Sequence, residues 1–354
     1  MATMSGLDGV VVAETILSDV DGEHGRLIVR GAPIDALAGH VPFEDLAARL
    51  WQDLVPDEHG QAAAPRLGAA RVAAFMRLAP LFPLGAALPP LDGLRLALSG
   101  LSDDEALPGH LMVTGAVPVA LAAMLRLQRG EAPIAPDPTL GHAADFLRML
   151  HGTADPARAA ALDAYLATVA EHGMNASTFT ARVIASTRAG VVAAVVGAVG
   201  ALKGPLHGGA PGPVLDMLDA IGTPANIGPW LQQALHDGDR LMGFGHRIYR
   251  VRDPRADVLK GVVARLRTGG DARLDFAEQV EREALAALAL HKPDRKLDTN
   301  VEFYTALLLE ALGLPREAFT AVFAMGRVAG WTAHVYEQLR EGRLMRPQSV
   351  YVGP

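Results

Sequence analysis

Ala157-Arg158-Ala159-Ala160-Ala161-Leu162-Asp163-Ala164-Tyr165-Leu166-Ala167-Thr168-Val169-Ala170 decides the fold class. Alanine and leucine are strong helix formers, and the run contains neither glycine nor proline, so it predicts a helix. The same residues dominate the rest of the chain. Half of the 354 residues are hydrophobic and only 5% are aromatic, so Ala, Leu and Val must fill the core. A mainly α-helical protein is therefore expected. At this length a single hydrophobic core is exceeded, and a large domain with a smaller one is the expected organisation.

Lys and Arg total 32 against 39 for Asp and Glu, a net charge of -7, which lacks the overall basic footprint of a nucleic-acid binder. The chain has no cysteine, which removes disulfide frameworks and thiolate chemistry. Residues 1–8 show no basic segment followed by an apolar one, so no secretory signal is expected and a cytoplasmic location is. The most apolar stretch, 189–202, lies between Arg188 and Lys203 and is too short to cross a bilayer. It reads as a buried helix, and no membrane partner is expected.

Residues 11–30 mix β-branched side chains with Asp19, Asp21, Gly22 and Gly25, predicting short strands around a tight turn. Helical spacing marks 43–54, 111–128 and 140–150, the last two parted by Pro133, Pro136 and Pro138. Residues 175–202 read as one long helix, capped by Asn175, Ser177 or Thr178 and ended by Lys203-Gly204-Pro205. Further helices are expected over about 213–221, after a Gly208-Gly209 turn, and over 230–234, 256–266, 276–289, 301–312 and 316–339. Residues 80–101, rich in Pro and Gly, give no clear element. Without repeats or low-complexity linkers, a second domain should be inserted or closely packed.

Three clusters carry residues suited to chemistry. In Gly204-Pro205-Leu206-His207-Gly208-Gly209-Ala210 a histidine sits in a glycine-rich turn between helices. A following helix aimed at it would disfavour imidazolium and leave a neutral donor able to polarise a carbonyl, although a histidine capping a turn has the same appearance. In the second cluster His246 follows Gly243-Phe244-Gly245 and precedes Arg247, Arg250, Arg252 and Arg255. Guanidinium forks suit an anionic substrate or a phosphorylated cofactor, and a solvated basic loop fits equally. The third, Leu297-Asp298-Thr299-Asn300-Val301-Glu302, puts Glu302 at the start of an apolar helix, as a base or as an ordinary first-turn acid. P-loop, dinucleotide-binding, zinc-protease and serine-hydrolase signatures are missing.

Together the clusters resemble the citrate synthase family in order and approximate spacing. Glu171-His172-Gly173-Met174-Asn175-Ala176-Ser177-Thr178 is similar to its Asp-His-x-x-Asn-Ala-Ser-Thr segment. Arg327-Val328-Ala329-Gly330-Trp331 and Arg346-Pro347-Gln348-Ser349-Val350-Tyr351-Val352-Gly353 resemble its late motifs. The likeness is strong from about residue 116 onward, recognisable over 13–38 and weak over 56–111.

The resemblance implies a helical homodimer whose large domain comprises 1–208 and 314–354, with a small domain of 209–313 inserted. It implies condensation of acetyl-CoA with oxaloacetate, without metal or permanently bound cofactor. His207 would hydrogen-bond the thioester carbonyl, Glu302 would deprotonate the methyl group, and His246 would polarise the ketone. His172, Arg255 and Arg327 would hold oxaloacetate, with Arg346 supplied across the dimer interface. Gly243 and Gly245 would let the backbone approach the acyl-CoA, and Arg250 would meet its phosphate. Glu302 departs from the family's usual aspartate, Pro211 replaces an expected Asn, and Val169 stands where many relatives carry histidine. Propionyl-CoA as substrate, giving 2-methylcitrate, differs by one methylene. A catalytically weak homologue that binds CoA or a dicarboxylate is an alternative from another class, and a purely structural oligomer is a third.

Overall fold

The structure, a computed structural model, describes residues 7, 9–56, 61–104, 107–207, 211–267 and 271–354. The expected Gly208-Gly209 turn and nearly all of residues 1–8 lie outside the described residues. A small antiparallel ribbon comes first: β1 (Ser18–Asp21), β2 (Arg26–Val29) and β3 (Ala32–Pro33), in that order. It matches the expectation for residues 11–30, with Ser18 opposite Val29 and Asp21 opposite Arg26.

Helices then follow almost without interruption. They are α1 (Ile34–Leu37), α2 (Phe43–Trp51), α3 (Ala63–Leu78), α4 (Phe82–Ala86), α5 (Pro90–Leu98) and α6 (Gly109–Gln128). Next come α7 (His142–His151), α8 (Pro156–Val169), α9 (Ala176–Ser186), α10 (Val191–Leu202) and α11 (Pro211–Ile221). The described residues close with α12 (Ile227–His236), α13 (Pro254–Leu266), α14 (Ala272–His291), α15 (Val301–Ala311) and α16 (Phe319–Glu341). The α3 helix was not foreseen. In the unreadable stretch 80–101, Pro83 and Pro90 sit in the first turns of α4 and α5, where a missing N–H costs nothing.

The expected single helix over 175–202 is instead two. Arg188 and Gly190 both take positive φ, 63° and 95°, which no α-helix continues through. Asp103 from a distant loop then accepts the Val191 and Val192 amides at 2.9 and 3.1 Å and starts α10 afresh. The two helices fold back on each other. Nor is the 189–202 stretch wholly buried, because Ala193, Val196, Gly197, Gly200 and Ala201 on α10 are only half covered.

The core centres on α6, buried without a gap from His110 to Leu125 and surrounded by α3, α4, α5, α7 and α16. Its apolar surface on all sides is that of an interior helix. The long α16 crosses α8 closely because Gly326 and Gly330 face it one turn apart. A Cβ on Gly330 would lie 2.2 Å from Ala170 O, and one on Gly326 would lie 2.7 Å from Leu166 O. Gly330→Ala should therefore destabilise the protein by about 1–3 kcal/mol in urea unfolding, as overpacking does. Gly228→Ala in α12, where no atom lies within 4 Å of the added carbon, should be neutral or stabilise by up to about 1 kcal/mol.

Candidate active site

Two loops are laced together beneath His246 and Glu302. Asn300 caps α15 by accepting the Glu302 amide at 3.0 Å, and donates from Nδ2 to Gly245 O at 2.8 Å. Its own amide donates to Gly243 O at 2.9 Å, while Gly245 N–H donates to Asp298 O at 2.7 Å. Gly243 has φ 86°, and a side chain there would strike Phe303, so only glycine permits this approach. Asp253 completes the lacing. It accepts the Arg255 amide and Nε at 3.0 Å, Arg255 Nη2 at 2.8 Å and the Val301 amide at 3.2 Å.

Both candidate histidines are held neutral, in defined tautomers. The Ile248 and Tyr249 amides donate to His246 Nδ1 at 3.0 and 3.1 Å. An amide can only donate, so Nδ1 keeps its lone pair and Nε2 carries the proton. At His207 the Ser177 amide donates to Nε2 at 3.3 Å, which leaves the proton on Nδ1. The Ser177 hydroxyl lies 2.8 Å from both His207 Nε2 and Asn175 Oδ1, and accepts from Trp331 Nε1 at 3.1 Å. Burial lowers the pKa of each histidine to about 4, helped by Arg327 at His207 and by Arg255 at His246. Each is a neutral imidazole with one N–H to offer.

His172 is buried, with Nε2 3.1 Å from the Tyr249 hydroxyl and its ring edge-on to His246 at 5.7 Å. Burial, then Arg255 and Arg327, push its pKa well down. Arg327 donates from Nε to Val169 O at 2.5 Å and stacks over Phe323 at 4.7 Å. Burial lowers its pKa to about 10, and the neighbouring Arg255 charge adds to this against Glu171. Arg255 is instead held up by Asp253. Glu302 lies within the influence of both guanidiniums, yet burial prevails and raises its pKa to about 7.

The arginine-rich run divides. Arg255 alone turns inward. Arg252 pairs with Asp257, Glu281 and Asp298, and Arg247 and Arg250 are exposed. Arg250 is tied by its backbone to Gly22 O at 2.8 Å and stands 4.0 Å from Glu23. Arg346 is exposed on the extended segment after α16, and no contact joins it to the other candidates among the described residues. The Gly245 amide is already committed to Asp298, so its part toward a cofactor would be close approach rather than donation. Sequence reasoning missed Ser177, Asp253 and Tyr249 as partners of the candidates, and saw Asn300 only as part of a cluster. The signal available was their position, Ser177 behind a helix cap and Asp253 immediately before a proline that starts a helix.

These shifts have opposite effects on stability. Glu302 titrates at about 7 when folded against about 4.3 unfolded, so the folded state holds the extra proton between those values and stability falls as pH rises through them. His207 and His246, lowered to about 4, contribute the reverse slope below about pH 6.5. Glu302→Gln should accordingly melt at a higher temperature than the parent at about pH 8, with the advantage gone near pH 4.5. Parallel melting curves across that range check it, and an equal or lower melting temperature at the upper end contradicts the raised pKa of Glu302.

Known proteins resemble this chain over nearly its whole length. The family model described as citrate synthase, C-terminal domain, matches residues 6–348. A protein named putative citrate synthase 2 from Mycobacterium tuberculosis is 40% identical, covering 99% of this chain and 92% of that one. A 2-methylcitrate synthase of the same species is 36% identical, covering 98% of this chain and 90% of the other. Among solved structures, citrate synthase from Thermoplasma acidophilum, a ternary complex with carboxymethyl coenzyme A and oxaloacetate, superposes with a TM-score of 0.88 at 26% identity, covering 99% of this chain and 96% of that chain. A mainly helical chain matched over nearly its whole length by the family model and by relatives up to 40% identical belongs to the citrate synthase family.

Proposed function

We propose that this member of the family condenses acetyl-CoA with oxaloacetate and water to give citrate and CoA, using His207, His246 and Glu302. The observation that carries the reading is the pair of neutral imidazoles, each with one N–H left by backbone amides, in a site whose carboxylate has a pKa of about 7. A base of that pKa is available at neutral pH and stronger than an ordinary carboxylate. Glu302 takes a methyl proton of the thioester. His207 Nδ1–H donates to the thioester oxygen, where charge develops as the enolate forms. His246 Nε2–H polarises the oxaloacetate ketone, the enolate carbon bonds to it, and water hydrolyses the resulting citryl thioester.

Arg255, Arg327 and His172 would hold the dicarboxylate, since a small dianion needs fixed cationic forks for alignment as well as affinity. Acyl-CoA would lie against Gly243 and Gly245, with Arg250 toward phosphate. We assign 209–313 to a small domain and 1–208 with 314–354 to a large one, in support of which α11 and α13 pack on α15, and α12 on α14. We also assign a homodimer in which Arg346 completes the partner's site. In its support, α10 presents an apolar half-covered face and Arg346 projects on an exposed segment.

Release of free CoA, followed with acetyl-CoA and propionyl-CoA and with or without oxaloacetate, tests the reaction. Oxaloacetate-dependent release favouring acetyl-CoA is expected. One methylene is worth only about 10–200-fold in discrimination, so a preference for propionyl-CoA would make the enzyme a 2-methylcitrate synthase. Absence of oxaloacetate-dependent release from either would leave a binding protein. His207→Ala and His246→Ala should each lower kcat about 100- to 10,000-fold with small changes in KM. Near-normal turnover with lost thermal stability would reduce that histidine to a structural part. For the shared site, mixing Arg346→Ala subunits with His246→Ala subunits should restore activity in part of the heterodimers, and none in verified heterodimers counts against it.

A further inference from the structure

Tyr165, in the run that decides the fold, has an unexplained hydroxyl. The residue is 0% exposed, and its phenol oxygen has no hydrogen-bond partner among the described residues. Leaving such a group unpaired costs about 1–3 kcal/mol. Its helix α8 packs against α13, α15 and α16, which carry or begin with Arg255, Glu302 and Arg327. One turn further on, Val169 O accepts Arg327 Nε, and Leu166 and Val169 meet Gly326 of α16. Tyr165 and Val169 share a helix face, so the hydroxyl belongs to the side of α8 turned toward the candidate site.

The charges that act on the phenol most strongly are Glu302, then Arg327 and Arg255. Burial together with Glu302 drives its pKa well above the ordinary tyrosine value, so it keeps its proton throughout the working range. A protonated phenol needs an acceptor. Guanidinium groups have only donors, and of the three charged neighbours only the carboxylate accepts. Glutamate also has one more rotatable bond than the aspartate usual in the family, and so needs a second anchor beyond its backbone cap.

We propose that Tyr165 is a positioning residue for Glu302, its hydroxyl donating to one carboxylate oxygen in the catalytically competent form and leaving the other for the substrate proton. The inference rests on Glu302 as the base. A donor to the charged form lowers a carboxylate's pKa, so Tyr165 limits how far burial can raise it and fixes the direction of its free lone pair. The extra methylene gives Glu302 the reach for this bond.

Tyr165→Phe removes the hydroxyl and keeps the ring. Expected are an unchanged or raised melting temperature, a kcat lower by about 10- to 100-fold, KM values nearly unchanged, and an acidic limb of the kcat profile moved to higher pH. In a Glu302→Gln background the same substitution should add nothing to the loss of thioester proton exchange. If Tyr165→Phe does not fold, 3-fluorotyrosine at 165, a stronger donor of the same shape, should move the acidic limb to lower pH. Normal kcat and an unmoved limb beside an inactive Glu302→Gln overturn this proposal alone. A raised KM for oxaloacetate at unchanged kcat assigns the hydroxyl to the dicarboxylate instead, and lost activity with lost stability but no movement of the limb makes it structural. No condensation by the parent, or full proton exchange by Glu302→Gln, overturns the function and this inference with it.

Discussion

A single buried carboxylate, Asp253, holds the site in register. It caps α13 at the Arg255 amide, grips the Arg255 guanidinium with both oxygens and takes the Val301 amide in the first turn of α15. Burial alone would raise its pKa, and the Arg255 charge outweighs that and holds it below the usual range. Charge-assisted bonds of this kind are the strong ones. Because one side chain serves both helices, Arg255 and Glu302 cannot shift independently. Losing it would leave Arg255 buried and unpaired, the expensive way to break an ion pair.

The opposite wall has its own anionic backing. Glu171, buried beside His172, accepts from Ser18 Oγ at 2.8 Å, from the Gly173 amide at 2.6 Å and from His334 Nε2 at 3.0 Å. Since the carboxylate can only accept, His334 carries its proton on Nε2, and its Nδ1 takes Arg182 Nη1–H at 3.1 Å. Arg182 in turn is paired with Glu337 at 2.5 Å and bonded to Gln338. Both parts of the site thus rest on buried carboxylates, Asp253 under Arg255 and Glu171 next to His172. A buried hydrogen-bonded network of this kind also rigidifies the helices that carry it.

How much of this could be read from the chain depends on distance along it. Local features were legible, because Ala157–Ala170 has one dominant preference and a histidine between glycines is conspicuous at any scale. The break at Arg188 was hidden, since arginine carries no sign that it will adopt a left-handed backbone and the capping carboxylate, Asp103, is 88 residues away from Val191. Asp253 was masked by the arginines around it, and Tyr165 by the run that made α8 plain. Val169, noted only as a missing histidine, serves through its carbonyl, which no side-chain reading anticipates.

The placement of α16 also sets an order of events. This helix lies against α2, α6, α8, α9 and α10, and Trp51 donates to its Thr332 across 281 residues, as the Ile16 amide does to Glu337 across 321. A ribosome delivers the chain from the other direction. Throughout synthesis the earlier helices must wait with their inner faces open for a partner not yet made, in the kind of half-assembled state that associates wrongly. Arg327, Trp331 and His334 arrive with that helix, so the candidate site is complete only when the core closes, and no fragment released before α16 can hold it.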